Sequence, residues 1–228
     1  MDFDISKFYF NTSGLFEGVS KEHFGMLKSS MRRVEKKKGE IIFKKGSYSK
    51  GIYILRKGKV KVYHEDGKVQ ILYIFKKGEF FGYKPLLCNE PNPVTAEVLE
   101  DAVITFIPKT RFLEVLQLSP QLSNRLLFNL SHEFTVWVNT AAAFAQQSVK
   151  ERFALILLIL NEKYKKSGDR KSVELNLSRE DLAGYVGTAV ETLVRILREF
   201  KEKGFLEVKG RKIKIIDTAS LMELTKWY

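Results

Sequence analysis

Glu191 and Arg195 stand four residues apart in the last third of the chain. On a helix that spacing puts a carboxylate and a guanidinium on one face, one turn apart. On a solvated face they form an ordinary ion pair, worth about 0.2–0.5 kcal/mol. Near the start of a helix laid in a DNA major groove, the same pair reads bases. Arginine bonds guanine O6 and N7, glutamate accepts from cytosine N4, and the flanking Val190 and Val194 suit thymine methyls. The surrounding elements decide which chemistry applies.

A step of 100° per residue gathers Leu193, Ile196, Leu197 and Phe200 on one side of this segment. Glu191, Thr192, Arg195, Arg198 and Glu199 occupy the opposite arc. Upstream, Ser178 followed by Asp181 predicts an N-capped helix through Tyr185, which Gly187 breaks. Thr188 and Glu191 have capping-box spacing, predicting a second helix to Lys203 that stops at Gly204. Two capped helices across a tight glycine turn read as a helix-turn-helix. Phe205–Val208 and Lys212–Ile216, joined through Gly210-Arg211, add a hairpin wing. Arg179, Thr188, Lys209, Arg211 and Lys212 are the expected phosphate grips, setting register without carrying sequence information.

The chain before this module has two other characters. Gly39 to about Pro108 runs in short β-rich stretches punctuated by Gly46, Gly51, Gly58, Gly78 and Gly82, as a β-barrel or jelly roll requires. Asp66-Gly67 is a hairpin signal. Ser20–Arg33 reads as a short helix. The basic run Arg32-Arg33 with Lys36-Lys37-Lys38 reads as a solvated turn. After Pro120 no glycine or proline occurs until Gly168, room for one long helix and part of another. Leu130, Phe134, Trp137, Ala141, Phe144 and Ser148 follow steps of four and three, with Leu126 slightly out of step. That spacing predicts a dimer seam. Phe153–Tyr164 reads as a core helix.

Composition narrows the function classes. The 228 residues, 44% hydrophobic and 29% charged, suit one or two globular domains. The single Cys88 excludes a disulfide framework and a four-thiolate metal site within one chain. No apolar run approaches a bilayer span, and the acidic Met1-Asp2-Phe3-Asp4 does not read as a secretion signal. A reducing, cytoplasmic setting is expected. The 39 bases and 27 acids give a net +12, favouring a polyanionic partner. The excess is +7 over residues 1–147 and +5 over the last 81, so charge alone locates no face. No Gly-x-Ser-x-Gly, Walker loop or His-Glu-x-x-His occurs, and nothing points to an enzyme.

In this order the motifs identify a family. The chain resembles the Crp/Fnr family of bacterial transcription factors from about Leu15 to Ile216. The likeness rests on Lys38-Gly39-Glu40, Gly46, Gly58 and Gly78-Glu79-Phe80-Phe81-Gly82. It continues through Thr95-Ala96, the long central helix, Asp181-Leu182-Ala183, Val186-Gly187, Glu191-Thr192 and Arg195. The resemblance implies an α+β chain: a cyclic-nucleotide-binding-like β-roll over residues 1–120, a dimerising helix over 121–148, and a winged helix-turn-helix over 149–228. It implies a homodimer on palindromic double-stranded DNA, and RNA polymerase as a partner if the protein activates. Glu191 and Arg195 match the family's base-reading pair. Val190 matches the Fnr branch, whereas Val194 departs from that branch's serine.

The effector site departs further. By the resemblance it comprises Gly82, Tyr83, Lys84, Val94, Thr95, Ala96, Trp137 and Val138. Tyr83 stands where the cyclic-AMP branch has the glutamate that holds the ribose. Val94 replaces the arginine that holds the phosphate, and Trp137 and Val138 replace two hydroxyl residues. Lys84 offers a replacement charge but lacks arginine's bidentate fork. Cyclic AMP is therefore not the expected effector. Either a more apolar pocket of Tyr83, Val94, Trp137 and Val138 remains, or the core is filled. An Fnr-type iron–sulfur cluster needs N-terminal cysteines that this chain lacks. Haem would draw on His23, His64 or His132, of which His132 is the one to test. Cys88 is redox-reactive if Lys84 lowers its pKa, and otherwise a structural or exposed inert cysteine. A cupin-like metalloenzyme would need more histidines than the roll holds, and a cyclic-nucleotide-gated subunit would lack the winged helix-turn-helix.

Overall fold

A computed structural model of the protein describes residues 4–165 and 173–225; the acidic start Met1-Asp2-Phe3 lies outside them. The chain divides into two compact units, residues 11–132 and residues 1–10 with 133–228.

The first unit begins with helix α1 (Lys21–Ser30), capped by the Ser20 side chain, which accepts from the His23 N–H. Strands β1 (Arg32–Lys36), β2 (Ile41–Phe43), β3 (Gly51–Asp66), β4 (Lys68–Phe75) and β5 (Phe80–Phe81) follow. A short helix α2 (Lys84–Cys88), strand β6 (Thr95–Pro108) and helix α3 (Lys109–Leu118) complete the roll. All strand pairings are antiparallel. The order is β1-β6-β3-β4, with β2 also on β6 and β5 on β3. The Asp66-Gly67 hairpin joins β3 to β4.

The basic run is not simply a turn. Arg32–Lys36 is an edge strand on β6, and basic residues suit an edge because they discourage further pairing. Only Lys37 and Lys38 turn, held by Asp101: Lys37 Nζ pairs with it at 3.0 Å, and the Lys38 N–H donates to it at 3.0 Å. Gly58 lets β3 bend. At φ 87° it lies 2.6–2.7 Å, measured from an imagined Cβ, from the Asp101 and Glu100 carbonyls, space that no side chain can take.

Alternation along β3 separates two cores. Ile52 and Ile54 face the helices, with Leu15, Leu27, Phe80, Tyr83, Leu86, Phe112, Leu122 and Leu126. Tyr53 joins a ring cluster instead, 5.4 Å from Phe81, 5.2 Å from Phe106 and 5.8 Å from Phe43. Phe75 stacks on Phe81 at 4.9 Å and meets Tyr73 edge-on.

Helix α4 (Pro120–Gln146) belongs to the first unit up to His132 and to the second from Glu133. Its buried residues Leu122, Leu126, Asn129, Glu133, Val136 and Ala143 keep a four-three rhythm along one stripe. Leu127, Phe128, Phe134 and Val138 are exposed. The expected seam thus needs correction. Phe134 and Ala141 face outward, but Leu126 is core and Leu130, Trp137 and Phe144 are half-buried. Both stripes share one rhythm, so periodicity alone cannot say which one the chain keeps for itself.

The second unit contains α5 (Val149–Tyr164), β7 (Glu174–Asn176), α6 (Arg179–Val186), α7 (Val190–Glu202), β8 (Leu206–Lys209), β9 (Lys212–Ile215) and α8 (Thr218–Thr225). Phe153 to Leu160 is buried throughout. The strands order β7-β9-β8, so the expected wing gains a third strand. The fold is the expected α+β arrangement of β-roll, long helix and winged helix-turn-helix. Among the described residues no helix is long and apolar enough to cross a membrane.

Candidate nucleic-acid interface

Helix α6 starts where the sequence predicts. The Ser178 side chain accepts from the Asp181 N–H at 3.0 Å and donates to its carboxylate at 2.7 Å. The helix ends at Gly187, whose φ of 72° is the left-handed value glycine supplies at little cost. The N–H groups of Gly187 and Thr188 both donate to the Ala183 carbonyl, closing the turn.

The next helix does not start as expected. Ala189, with no side-chain cap, precedes Val190, and no Thr188–Glu191 capping box forms. The turn uses the Thr188 N–H to close α6, so Thr188 precedes the cap by one residue. Glu191 is thereby left uncommitted. Among the described residues, neither Glu191 nor Arg195 has a hydrogen-bond or ion-pair partner, and both are exposed. The bland i,i+4 pair is not formed.

The rest of α7 holds that face steady. Leu193, Ile196, Leu197 and Phe200 are buried, and the Phe200 ring stacks on Phe153 at 5.5 Å. Val194 is exposed, while Val190 and Thr192 are half-buried. Arg198 is tied to Glu202 at 3.0 Å. Glu199 accepts from Lys150 and Lys203, which hold its carboxyl below the usual range. Ser148, Lys150, Thr192, Arg195, Arg198 and Glu199 border a groove of about 520 Å³ beside α7.

The expected phosphate grips divide into three kinds. Arg211, at the wing turn beside Gly210, is exposed and has no partner among the described residues. Lys209 and Lys212 lie in exposed ion pairs, with Glu207 at 2.9 Å and Glu174 at 2.8 Å. Arg179 is engaged by the wing. Its Nη2 donates to the Gly210 carbonyl at 2.6 Å, Nη1 is buried, and burial pushes its pKa down. Carbonyl and guanidinium meet because the first turn of α6 lies beside the wing turn.

The residues expected at an effector site separate by unit. In the roll, Tyr83 is 2% exposed and packs on Phe80 with ring centroids 4.7 Å apart. It belongs to the helix-side core, as the filled-core alternative expects: a large ring at the start of α2 gains more from Phe80 than from an open face. Ala96 is fully buried and Val94 half-buried. The Lys84 ammonium lies 5.8 Å from the Tyr83 ring centroid. The Gly82 carbonyl accepts from Ser49 Oγ at 3.0 Å, and Thr95 Oγ1 accepts from the Lys45 N–H at 3.1 Å. In the second unit Trp137 packs against Phe10 at 6.1 Å, and Val138 is exposed. Cys88 is exposed and its Sγ lies 3.4 Å from the Lys84 carbonyl. Among the described residues, no three histidine, cysteine or acidic side chains gather as a metal site.

Sequence reasoning missed the cap of α5. Ser148 is its N-cap, and Glu151 completes a capping box. The Ser148-x-x-Glu151 spacing signals it. Arg152, one residue on, reaches the turn carbonyls of Val186 and Gly187.

Comparison with known proteins agrees with this geometry. A cyclic nucleotide-binding domain model matches residues 33–119, and a Crp-like helix-turn-helix domain model matches residues 151–224. The transcriptional activator protein FnrA of Stutzerimonas stutzeri is 29% identical over 191 residues, covering 82% of this chain and 78% of that protein. The fumarate and nitrate reduction regulatory protein of Vibrio cholerae is 28% identical over 190 residues, covering 82% and 76%. Two solved structures share the fold. FixK2 from Bradyrhizobium japonicum has a TM-score of 0.76 at 22% identity, covering 85% of this chain and 96% of its own. A CooA mutant from Carboxydothermus hydrogenoformans has 0.76 at 21%, covering 96% and 99%.

Proposed function

We propose that this chain, which belongs to the Crp/Fnr family of transcription regulators, binds palindromic DNA as a homodimer without cyclic AMP as its effector. The observation that carries the reading is the pair Glu191 and Arg195, exposed and, among the described residues, without partners, on a helix whose other side is locked by Phe153 and Phe200. Glu191 and Arg195 read a C·G and a G·C pair of each half-site; Val190 and Val194 favour neighbouring thymines, with Thr192 beside them. Arg211 grips phosphate, joined by Thr188 and, once their surface pairs open, by Lys209 and Lys212. As a working division, residues 1–120 sense, 121–148 dimerise and 149–228 bind DNA, in the cytoplasm where the chromosome lies.

Dimerisation rests on the outward face of α4. Leu127, Ser131, Phe134, Val138, Ala141 and Ala145 repeat in steps of four and three, and all are exposed. Phe134 is 70% exposed and Leu127 64%. A second copy of the helix covers such a stripe. The ring cluster of Tyr53, Tyr73, Phe75 and Phe81 supports a filled roll over an open pocket.

Selection of the purified protein on random duplexes tests the reading. Recovery of a two-fold symmetric site with half-sites about one helical turn apart supports it. Recovery of no consensus, or of an unpaired single site, overturns it.

A further inference from the structure

Arg152 lies in the first turn of α5, yet its guanidinium serves two other helices. Nη1 donates to the Gln147 carbonyl at 2.9 Å, just past the end of α4. Nε donates to the Val186 carbonyl at 3.1 Å, and Nη2 to the Gly187 carbonyl at 3.3 Å, at the end of α6. Its central carbon lies 5.3 Å from the centroid of the Phe144 ring on α4. All these groups lie within the second unit.

The chemistry suits a fork. The last carbonyls of a helix lack intrahelical donors and carry the negative end of its dipole. One cation with five rigid donors satisfies two such ends at once, which an ammonium cannot reproduce. Burial pushes the guanidinium's pKa down, so the carbonyls and the ring stand in for the water it has lost. Only Thr188 and Ala189 separate Gly187 from the first residue of α7. Holding the Gly187 carbonyl therefore holds the entry to that helix.

We infer that Arg152 is a positioning residue that fixes the recognition helix against the end of α4, and so sets the half-site spacing the dimer accepts. The inference rests on the reading of α4 as the dimer helix and α7 as the base reader. The lever arm makes the effect large enough to measure. A 10° swing about the Gln147-Ser148 junction, over a domain radius of about 13 Å, moves α7 by roughly 2 Å. Two protomers together exceed the rise of one base pair, about 3.4 Å. Gln147 Nε2, donating to the Thr225 carbonyl at 2.6 Å, ties the junction to α8 but does not reach the turn.

Two measurements on the full-length wild type, Arg152→Lys and Arg152→Met test the latch. The first is affinity for the selected palindrome, for versions with one base pair added or removed between half-sites, and for a single half-site. The second is backbone amide exchange over residues 143–148 and 186–190. The wild type should prefer its native spacing by about tenfold or more, and both variants should flatten that preference to roughly threefold or less. Half-site affinity should stay within about twofold, which a general loss of stability would not leave intact. Exchange in both segments should quicken together while the interior of α6 stays protected. A variant that keeps the spacing preference overturns the inference, as does one whose two segments respond independently. A wild type with no spacing preference overturns the dimeric-operator reading instead. Concerted exchange then decides the latch alone. The lysine variant keeps the charge, so the test survives if the methionine variant unfolds.

Discussion

The rings of Phe153 and Phe200 stack 5.5 Å apart and 4° from parallel, both fully buried. This contact seats α7 on α5. Phe205 also tilts against Phe200 at 5.8 Å, so the ring ties α7 to the start of the wing as well. Removing such a ring forfeits its transfer energy and leaves a cavity between two rigid helices. Phe200→Ala should destabilise the protein by about 3–5 kcal/mol, read from urea unfolding monitored on the full chain. A loss below about 1 kcal/mol would mean that the helix is seated elsewhere.

Base reading and phosphate gripping should separate. Arg195→Ala is expected to cost about 1–3 kcal/mol on the best site and to relax preference at one position of each half-site. Arg211→Ala should weaken all sequences alike and reduce the salt slope by about one unit. Selection on random duplexes with each variant distinguishes them. An unchanged consensus for Arg195→Ala would remove α7 as the reader.

The Lys209–Glu207 pair gives a gain-of-affinity test. Glu207 raises the Lys209 pKa through its hydrogen bond, and Lys209 lowers that of Glu207. Both groups are solvated, so the pair contributes little to stability and competes with phosphate for the ammonium. Glu207→Gln should tighten DNA binding at low salt and steepen its salt dependence, measured by fluorescence anisotropy across a salt series. An unchanged slope would show that Lys209 lies away from the phosphate path.

The recognition module was legible because local rules decide it. The inward set Leu193, Ile196, Leu197 and Phe200 follows from helical period alone, and the Ser178–Asp181 cap from short-range chemistry. Thr188 shows where such rules stop. Its spacing to Glu191 fits a capping box, but closure of the Gly187 turn uses the Thr188 N–H and shifts the cap to Ala189. The choice between pocket and filled core at Tyr83 stayed open for a related reason. A family position fixes which residue occupies a site, and its packing on Phe80 depends on residues far along the chain. The Arg152 contacts span 35 residues, a distance that no sequence period encodes.

The corrected seam predicts a contrast between two aromatic residues on one helix. Phe134→Glu puts a charge in the centre of the outward stripe and should give monomers in sedimentation, with loss of palindrome binding. Trp137→Ala removes a ring that packs on Phe10 in the same chain, and should lower stability while leaving the dimer intact. If the effects are reversed, the seam is the half-buried stripe after all.

Cyclic AMP should not bind with useful affinity. Each charge-assisted hydrogen bond to the ligand is worth roughly 1.5–3 kcal/mol, so losing both the ribose and the phosphate anchor costs about two to four decades. Tyr83 and Val94 supply neither, and restoring the charges would not restore the site. Tyr83→Glu would put a carboxylate where the ring is now 2% exposed, beside Phe80, Leu86 and Phe112. Burying an unpaired charge there should destabilise the roll before it recruits a ligand. Titration calorimetry of the wild type and of the double variant Tyr83→Glu, Val94→Arg checks both statements. Neither should give a resolvable isotherm at micromolar protein, and the double variant should melt below the wild type. Micromolar binding by the wild type, coupled to tighter DNA binding, would sink the claim and leave Lys84 as the anchor to test.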